Sequence, residues 1–176
     1  MPVTPTFTEP KTWAFQEGVE SSELNAIRDI LRSMGRHLIV RKLSDESDAT
    51  GVLQNDDSLL LALATNEIWQ FKFNLLVVSA ATTDFKLRLT FPSGSISALG
   101  ISEAGGTWNG KDISATTSPS ATWNVSTTDT VTNHIILEGV MSNAGSAGNL
   151  QLQWSGQAAA ACVVKTNSTL WAVQLA

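Results

Sequence analysis

A two-residue alternation of apolar and polar side chains is the feature that most restricts how this chain can fold. It is cleanest at residues 84–91, where the apolar odd positions are Phe85, Leu87, Leu89 and Phe91. Residues 67–79 have the same period, and their apolar odd positions are Trp69, Phe71, Phe73, Leu75 and Val77. Because successive side chains of a β-strand point to opposite faces, the pattern predicts strands with one buried face.

Segments of this kind follow one another to the end of the chain, with turn signals and no helical pattern between them. We count about nine or ten, which is typical of an antiparallel β-sandwich or barrel. More than seven strands favours a jelly roll over an immunoglobulin-type sandwich. The predicted fold is mainly β: an antiparallel, jelly-roll-like β-sandwich over residues 37–176. Residues 102–120, rich in Gly, Ser and Thr, are predicted to be its longest loop.

The first 20 residues are predicted to form an extended N-terminal arm. Pro2, Pro5 and Pro10 fix the backbone and remove hydrogen-bond donors, which disfavours a helix or a central strand. Disordered tails are poor in aromatic residues, whereas this arm carries three, namely Phe7, Trp13 and Phe15. The arm is therefore predicted to anchor the chain by docking on its own surface or on a neighbour.

Residues 21–36 are predicted to form a short amphipathic helix. Ser21 or Ser22 can cap its start, and Gly35 suits its end. Apolar residues follow the spacing 3, 4, 3, 4, and the last of them lies just after the helix. They are Leu24, Ile27, Leu31, Met34 and Leu38. This seam spans about two heptads, too few to hold a coiled coil alone. Two interpretations remain: packing on the chain's own domain, or oligomerisation around a symmetry axis.

Composition restricts the partners. Only 15% of residues are charged, the net charge is −5, and no block of Lys or Arg occurs. Nucleic-acid binding draws its affinity from clustered cations, and binding to an anionic membrane surface does likewise, so neither partner is predicted. No signal peptide or membrane-spanning stretch is recognised, which predicts a soluble protein made in the cytoplasm. The single cysteine, Cys162, lies in an apolar run and is predicted to be buried.

No arrangement of residues predicts catalysis, a metal site or a cofactor. The two histidines, His37 and His134, have no metal-ligand spacing. The acidic residues near residues 45–57 lack the order of a calcium loop and are interpreted as solvated loop charge. No nucleophile elbow, phosphate loop or dinucleotide fingerprint is present. The chain is therefore predicted to be non-enzymatic.

The six tryptophans are the remaining candidates for binding. Trp69, Trp154 and Trp171 lie on strong strands and are predicted to be in the core or at a subunit interface. Trp108 lies within the predicted loop, and Trp123 lies on a short, weak strand. An exposed loop tryptophan can stack on a sugar or dock in a partner's pocket. Trp108 and Trp123 are therefore the predicted ligand or partner contacts.

The order of several features resembles small bacteriophage virion proteins of the minor tail or appendage type. The first stretch contains Trp13, Leu24-Asn25 and the Arg28-Asp29 helix; later stretches are residues 66–71 and residues 148–154. The resemblance covers nearly the whole chain, but its motifs are structural and loose. It implies a virion protein, commonly a trimer, with no catalytic residues to transfer.

Three functions follow as hypotheses. The first is a structural subunit of a phage tail or capsid appendage, whose predicted partners are copies of itself and other virion proteins. The chain lacks the repeats of an extended fibre, which keeps open a capsid decoration (cement) protein or a short head fibre. The second is a carbohydrate-binding module for a host-surface glycan, and the third a glycan-degrading enzyme. The predicted location is the virion.

Overall fold

The structure is a computed structural model that describes residues 35–81, 83–104 and 106–175. The predicted arm and residues 21–34 of the predicted helix lie outside the described residues. The described part forms strands and no helix. Its strands are β1 (His37–Arg41), β2 (Glu46–Asp48), β3 (Gln54–Leu63), β4 (Ile68–Ser79), β5 (Phe85–Thr90), β6 (Ser95–Ala104), β7 (Thr107–Asp112), β8 (Trp123–Val125), β9 (Asn133–Ser142), β10 (Gly148–Gly156), β11 (Cys162–Val164) and β12 (Thr169–Gln174).

These strands form two antiparallel sheets. Six strands of the larger sheet lie side by side in the order β1-β12-β4-β9-β6-β7, and β11 and β2 extend it beside β4. The smaller sheet has the order β3-β10-β5-β8. The prediction of an antiparallel, mainly β domain is confirmed for the described residues.

The strand pairing is nested. Moving outward from the middle of the chain, β6 pairs with β7, β5 with β8, β4 with β9, β3 with β10, β2 with β11 and β1 with β12. The chain is thus one long antiparallel hairpin whose tip lies where Ala104 pairs with Thr107. Further pairing of β4 with β12, β5 with β10 and β6 with β9 rolls this hairpin up on itself.

The two sheets share one hydrophobic core, built by the alternation that the sequence displays. The five inward residues of β4 predicted from residues 67–79 are all buried. From the smaller sheet, Phe85 of β5 stacks on Trp154 of β10, with ring centroids 5.6 Å apart. Each large apolar side chain buried in this way stabilises the fold by about 1.5–3 kcal/mol relative to an exposed one. Cys162 is fully buried, as predicted.

The predicted loop at residues 102–120 is wrong in its first part. β6 continues to Ala104, and β7 follows after a tight turn, with Ser102 opposite Asn109 and Glu103 opposite Trp108. Every side chain of β7 is exposed. A strand that buries no side chain needs no apolar alternation, so its sequence gives no period-2 signal.

The interpretation of all the acidic residues as solvated is also wrong. Asp56 is buried beside the almost fully buried Lys42, whose Nζ lies 3.0 Å from both of its carboxylate oxygens. The same ammonium group donates to Glu46. Asp56 also accepts backbone N–H bonds from Ser58, at 2.9 Å, and Leu59, at 2.8 Å. Lys42 follows β1 in the larger sheet and Asp56 lies on β3 in the smaller one, so this ion pair joins the two sheets.

Burial lowers the pKa of Lys42, but hydrogen bonds from its ammonium group to Glu46 and Asp56 raise it by more, and the pKa lies above its ordinary value. The lysine is therefore charged at neutral pH. A buried charge persists only when it is paired and hydrogen-bonded. The Lys42 cluster meets both conditions, which explains why a lysine is tolerated in the interior.

Candidate functional site

The outer face of the larger sheet presents a continuous row of side chains. One outward residue from each of six adjacent strands lies in register, which gives the row Ile39, Trp171, Lys72, Glu138, Leu99 and Asp112. A second row, beside it, contains Val173, Gln70, Val140 and Ser97. We call these two rows the outer-face surface.

Large apolar side chains are exposed on the outer-face surface. Ile39 is 72% exposed and Leu99 43% exposed, Val140 is also exposed, and the Trp171 ring is partly exposed. Single exposed apolar residues are common, whereas a contiguous group on one face marks an interaction site. Here Ile39 and Trp171 lie side by side on β1 and β12, and Leu99 and Val140 lie on the adjacent strands β6 and β9. The polar side chains of β4 separate the two groups, and the presence of both groups on one sheet face favours an interface.

A trough of about 610 Å³ lies along this surface between Trp171 on one side and Asp112 on the other. Gly139 of β9 lies in it. A Cβ atom added there would come within 2.2 Å of the backbone oxygen of Ser97, so only glycine allows β9 and β6 to approach this closely.

The charged groups of the outer-face surface are exposed and paired or hydrogen-bonded. The Lys72 ammonium lies 3.0 Å from a Glu138 carboxylate oxygen, and both side chains are more than a third exposed. Such surface pairs contribute little stability, about 0–1 kcal/mol. At the β7 edge, hydrogen bonds from Ser114 hold the pKa of Asp112 below its ordinary value. The surface therefore combines apolar contact area with fixed charges of both signs.

A second cluster ties the start of the described domain to the end of the larger sheet. Glu67 accepts hydrogen bonds from Trp69 Nε1 at 3.0 Å, from the Ala64 N–H at 2.8 Å and from Arg36 Nη1 at 3.0 Å. The Arg36 guanidinium also lies 5.3 Å from the Trp69 ring centroid. The backbone N–H of Gln174 donates to the Arg36 carbonyl. Residue 36 is thereby fixed in place.

The electrostatics of Glu67 follow from these contacts. Burial raises the pKa of its carboxyl, but the hydrogen bonds from Trp69 and Ala64 and the charge of Arg36 lower it by more. The pKa therefore lies below its ordinary value, and the carboxylate is ionised at neutral pH. This ionised state is what holds the Arg36 side chain.

The two tryptophans predicted to contact a ligand or partner differ in exposure. Trp108 lies on β7 near the hairpin tip and is 68% exposed, so it is available for contact. Trp123 lies on β8 and belongs to the hydrophobic core, 6% exposed. The hypothesis that Trp123 offers an exposed stacking face is wrong, because the neighbouring sheet covers its ring.

The predicted anchoring and oligomerisation residues fall mostly outside the described residues. This applies to Phe7, Trp13, Phe15, Leu24, Ile27, Leu31 and Met34. Leu38 is described: it lies on β1, partly buried against the core. Among the described residues, no group of three or more His, Cys, Asp or Glu side chains is placed to hold a metal ion. Nor does this part of the chain contain a helix that could cross a membrane.

Comparison with known proteins gives only weak likenesses. No family model and no curated protein matches the chain. A mutant VP2 protein of infectious bursal disease virus is 14% identical, over 98% of this chain and 44% of that one, with a TM-score of 0.22. The VP2 subviral particle of the same virus is 13% identical, over 79% and 40%, with a TM-score of 0.26. The chain spans less than half the length of these proteins, and TM-scores this low establish neither its fold nor its function.

Proposed function

We propose that this chain is a non-enzymatic structural subunit of a bacteriophage particle, in a tail or capsid appendage, which associates with its own copies through the outer-face surface. We also propose that the arm, residues 1–20, and the predicted helix attach it to other virion proteins, and that the appendage is a homotrimer; the structure shows that residues 35 and 36, predicted to end that helix, are not helical. The resemblance of residues 13–31 and 148–154 to small phage virion proteins supports the choice of particle.

We further propose that the domain is a jelly-roll β-sandwich. A jelly roll is a long antiparallel hairpin wrapped into two facing sheets. The nested pairing from β6–β7 outward, with the sheet orders β3-β10-β5-β8 and β4-β9-β6-β7, supports this topology. On this interpretation, β1, β2, β11 and β12 widen one sheet beyond the eight central strands and so enlarge the outer face.

The observation that carries the assembly proposal is the contiguous exposed row on that face. Six strands at about 4.8 Å spacing span about 24 Å between the outermost strands, and a ten-residue strand such as β9 is about 33 Å long. Because β1, β7 and β12 have only five or six residues, the face has an area of about 650 Å², somewhat below the roughly 800 Å² that one partner buries in a standard protein–protein interface. A second copy of the chain can therefore cover the apolar residues in one contact.

Sedimentation velocity tests the proposal. The wild-type chain is expected to sediment as an oligomer, and the variant with both Ile39→Asp and Leu99→Asp as a monomer, because two buried unpaired carboxylates oppose association. Circular dichroism checks that the variant is folded. Val52→Asp is the control, because Val52 is about as exposed as Ile39 but lies in the loop between β2 and β3.

A monomeric wild-type chain at about 100 µM, a concentration at which interfaces of this size are normally populated, contradicts self-association. Addition of purified particles then separates two roles. A monomer that binds particles through the same face fits a capsid decoration protein or a short head fibre, which is the second candidate. A monomer that does not bind particles contradicts both candidate roles.

A further inference from the structure

A polar cavity of about 390 Å³ lies where the two sheets end side by side. The larger sheet ends at β7 and the smaller at β8, and among the described strands none continues either sheet beyond this point. We call this cavity the β7–β8 cleft. Its volume falls within the usual range for small-molecule sites.

The floor of the cleft is rigid. Trp123 of β8 packs directly on Gly100 of β6, since a Cβ atom added to Gly100 would come within 2.3 Å of the indole ring. Ring and backbone are thus in contact, and no side chain separates them. The Trp123 ring is fixed by the core and lines the cleft with its small exposed part.

An unpartnered hydroxyl group also lines the cleft. Ser102 of β6 is 1% exposed, and its Oγ has no hydrogen-bond partner among the described residues. A buried hydroxyl without a partner costs about 1–3 kcal/mol, so native structures normally pair such groups. Because Ser102 lines the cleft, a ligand bound there can supply the missing partner.

The other polar groups of the cleft surround Ser102. Asn109 of β7 lies directly opposite it in the ladder, and Lys111 lies two residues further along the same face. Asn124 and Ser126 line the opposite side, at and just after β8. Amides and hydroxyls both donate and accept hydrogen bonds. The described lining has one cation and no carboxylate.

This chemistry selects a class of ligand. Sugar hydroxyls also donate and accept at once, so they match the amide and hydroxyl groups of the cleft. Strong phosphate recognition uses several cations or bidentate arginines, and the cleft contains only Lys111. An aliphatic ligand would leave Ser102 unpaired. We propose that the β7–β8 cleft binds a small saccharide of one or two sugar units, with Ser102 and Asn109 hydrogen-bonded to its hydroxyl groups.

The site differs from the tryptophan platform predicted from the sequence. Trp108 does not line the cleft, and Trp123 contributes only its small exposed part. Recognition rests on the polar groups of β6, β7 and β8. The proposal is independent of the assembly role, because the cleft lies at the seam between the sheets whereas the outer-face surface lies on the larger sheet.

Titration of the full chain with sugars tests this proposal. The probes are glucose, galactose, N-acetylglucosamine, glucuronic acid, maltose and lactose, each to about 50 mM, which detects dissociation constants in the millimolar range. Amide and indole signals in nitrogen-edited NMR spectra are followed. At least one sugar is expected to shift the signals of Ser102, Asn109 and Trp123 in a saturable way.

Two variants make the assignment specific. Ser102→Ala and Asn109→Ala are each expected to weaken binding about five- to tenfold, the effect of one lost hydrogen bond. Ser102→Ala removes an unpartnered group, so its urea midpoint is expected to stay the same or to rise. The control is Ser95→Ala, which changes the same residue type on the opposite face of β6, outside both the cleft and the outer-face surface, and leaves binding unchanged.

Saturable binding that both cleft variants weaken supports the proposal. It is overturned when none of the probes binds saturably, or when a sugar binds equally well to Ser102→Ala, Asn109→Ala and the wild type. Asn109 is exposed, so its variant is expected to fold like the wild type and keeps the test decisive if Ser102→Ala proves unstable.

Discussion

Replacement of Lys42 by methionine tests whether the buried ion pair stabilises the contact between the two sheets. Its Nζ lies 3.0 Å from both oxygens of Asp56, and the side chains of Lys42 and Asp56 are 2% and 0% exposed. At this distance and an effective dielectric constant of about 20, the attraction is about 5 kcal/mol. Methionine fills a similar volume but leaves Asp56 as a buried carboxylate without its cation.

The expected cost of Lys42→Met is about 3–5 kcal/mol, the usual result of removing one partner of a buried pair. The lower end is favoured, because Asp56 keeps its backbone hydrogen bonds from Ser58 and Leu59. In a domain of this size, that cost lowers the melting temperature by about 10 °C. Adding Asp56→Asn removes the stranded charge, so the double variant is expected to recover about 1 kcal/mol or more.

Urea unfolding, followed by tryptophan fluorescence, measures these differences. The matched control is Lys165→Met, which breaks an exposed pair with Asp45 and is expected to cost about 0–1 kcal/mol. The folded-state pKa of Lys42 is raised, so its contribution is complete below the unfolded value of 10.5 and is lost as the pH rises through the folded-state pKa. The difference from wild type should therefore be constant between about pH 6 and pH 9. A cost for Lys42→Met no larger than that for Lys165→Met would refute the reasoning.

Three further outcomes are expected. Gly139→Ala should destabilise the domain by about 1–3 kcal/mol through its clash with the backbone of β6, whereas Gly110→Ala, which meets no atom closer than 4.0 Å, should change the urea midpoint little. Glu67→Gln should lower the free energy of unfolding by about 1–3 kcal/mol at pH 7. Because the pKa of Glu67 is lowered in the folded state, its stabilising contribution is present above the unfolded value of 4.5 and is lost as the pH falls. The stabilities of wild type and variant should therefore converge in acid. Burial, with the nearby Asp48 and Asp84, raises the pKa of the Cys162 thiol to about 11, so a disulfide reagent at pH 8 should label it only after unfolding; rapid labelling of the native chain would contradict its burial.

The sequence predicts this fold well wherever a strand buries one face. The apolar positions of β4 and β5 repeat every second residue, and burial in the core requires that period. β7 could not be predicted for the opposite reason. None of its side chains is buried, so its sequence shows no apolar–polar alternation. The nested strand pairing could not be predicted from the sequence either, because strand order and register depend on contacts between residues far apart in the chain.

The candidate sites are less predictable. The outer-face surface forms because outward residues of six strands, from Ile39 to Asp112, lie in one row. No local sequence pattern predicts this row, because strand pairing alone brings its residues together. Lys42 and Asp56 form a buried pair across 14 positions, and their charges alone suggest a solvated loop. Ser102 stands in a Gly/Ser/Thr-rich stretch, where a hydroxyl is unremarkable until its burial is known. Trp123, predicted as a contact, is instead in the core, as is usual for a tryptophan on a strand.

The nested order of the strands also governs when the domain can close during synthesis. On a ribosome β1 emerges first among the described strands, but its partner β12 emerges last. The tip at Ala104 and Thr107 can pair as soon as it leaves the exit tunnel, and each ladder farther out awaits a longer stretch of nascent chain. The Ile39 edge consequently stays unpaired until translation has passed Gln174. The strand that emerges first is thus the last to gain its partner.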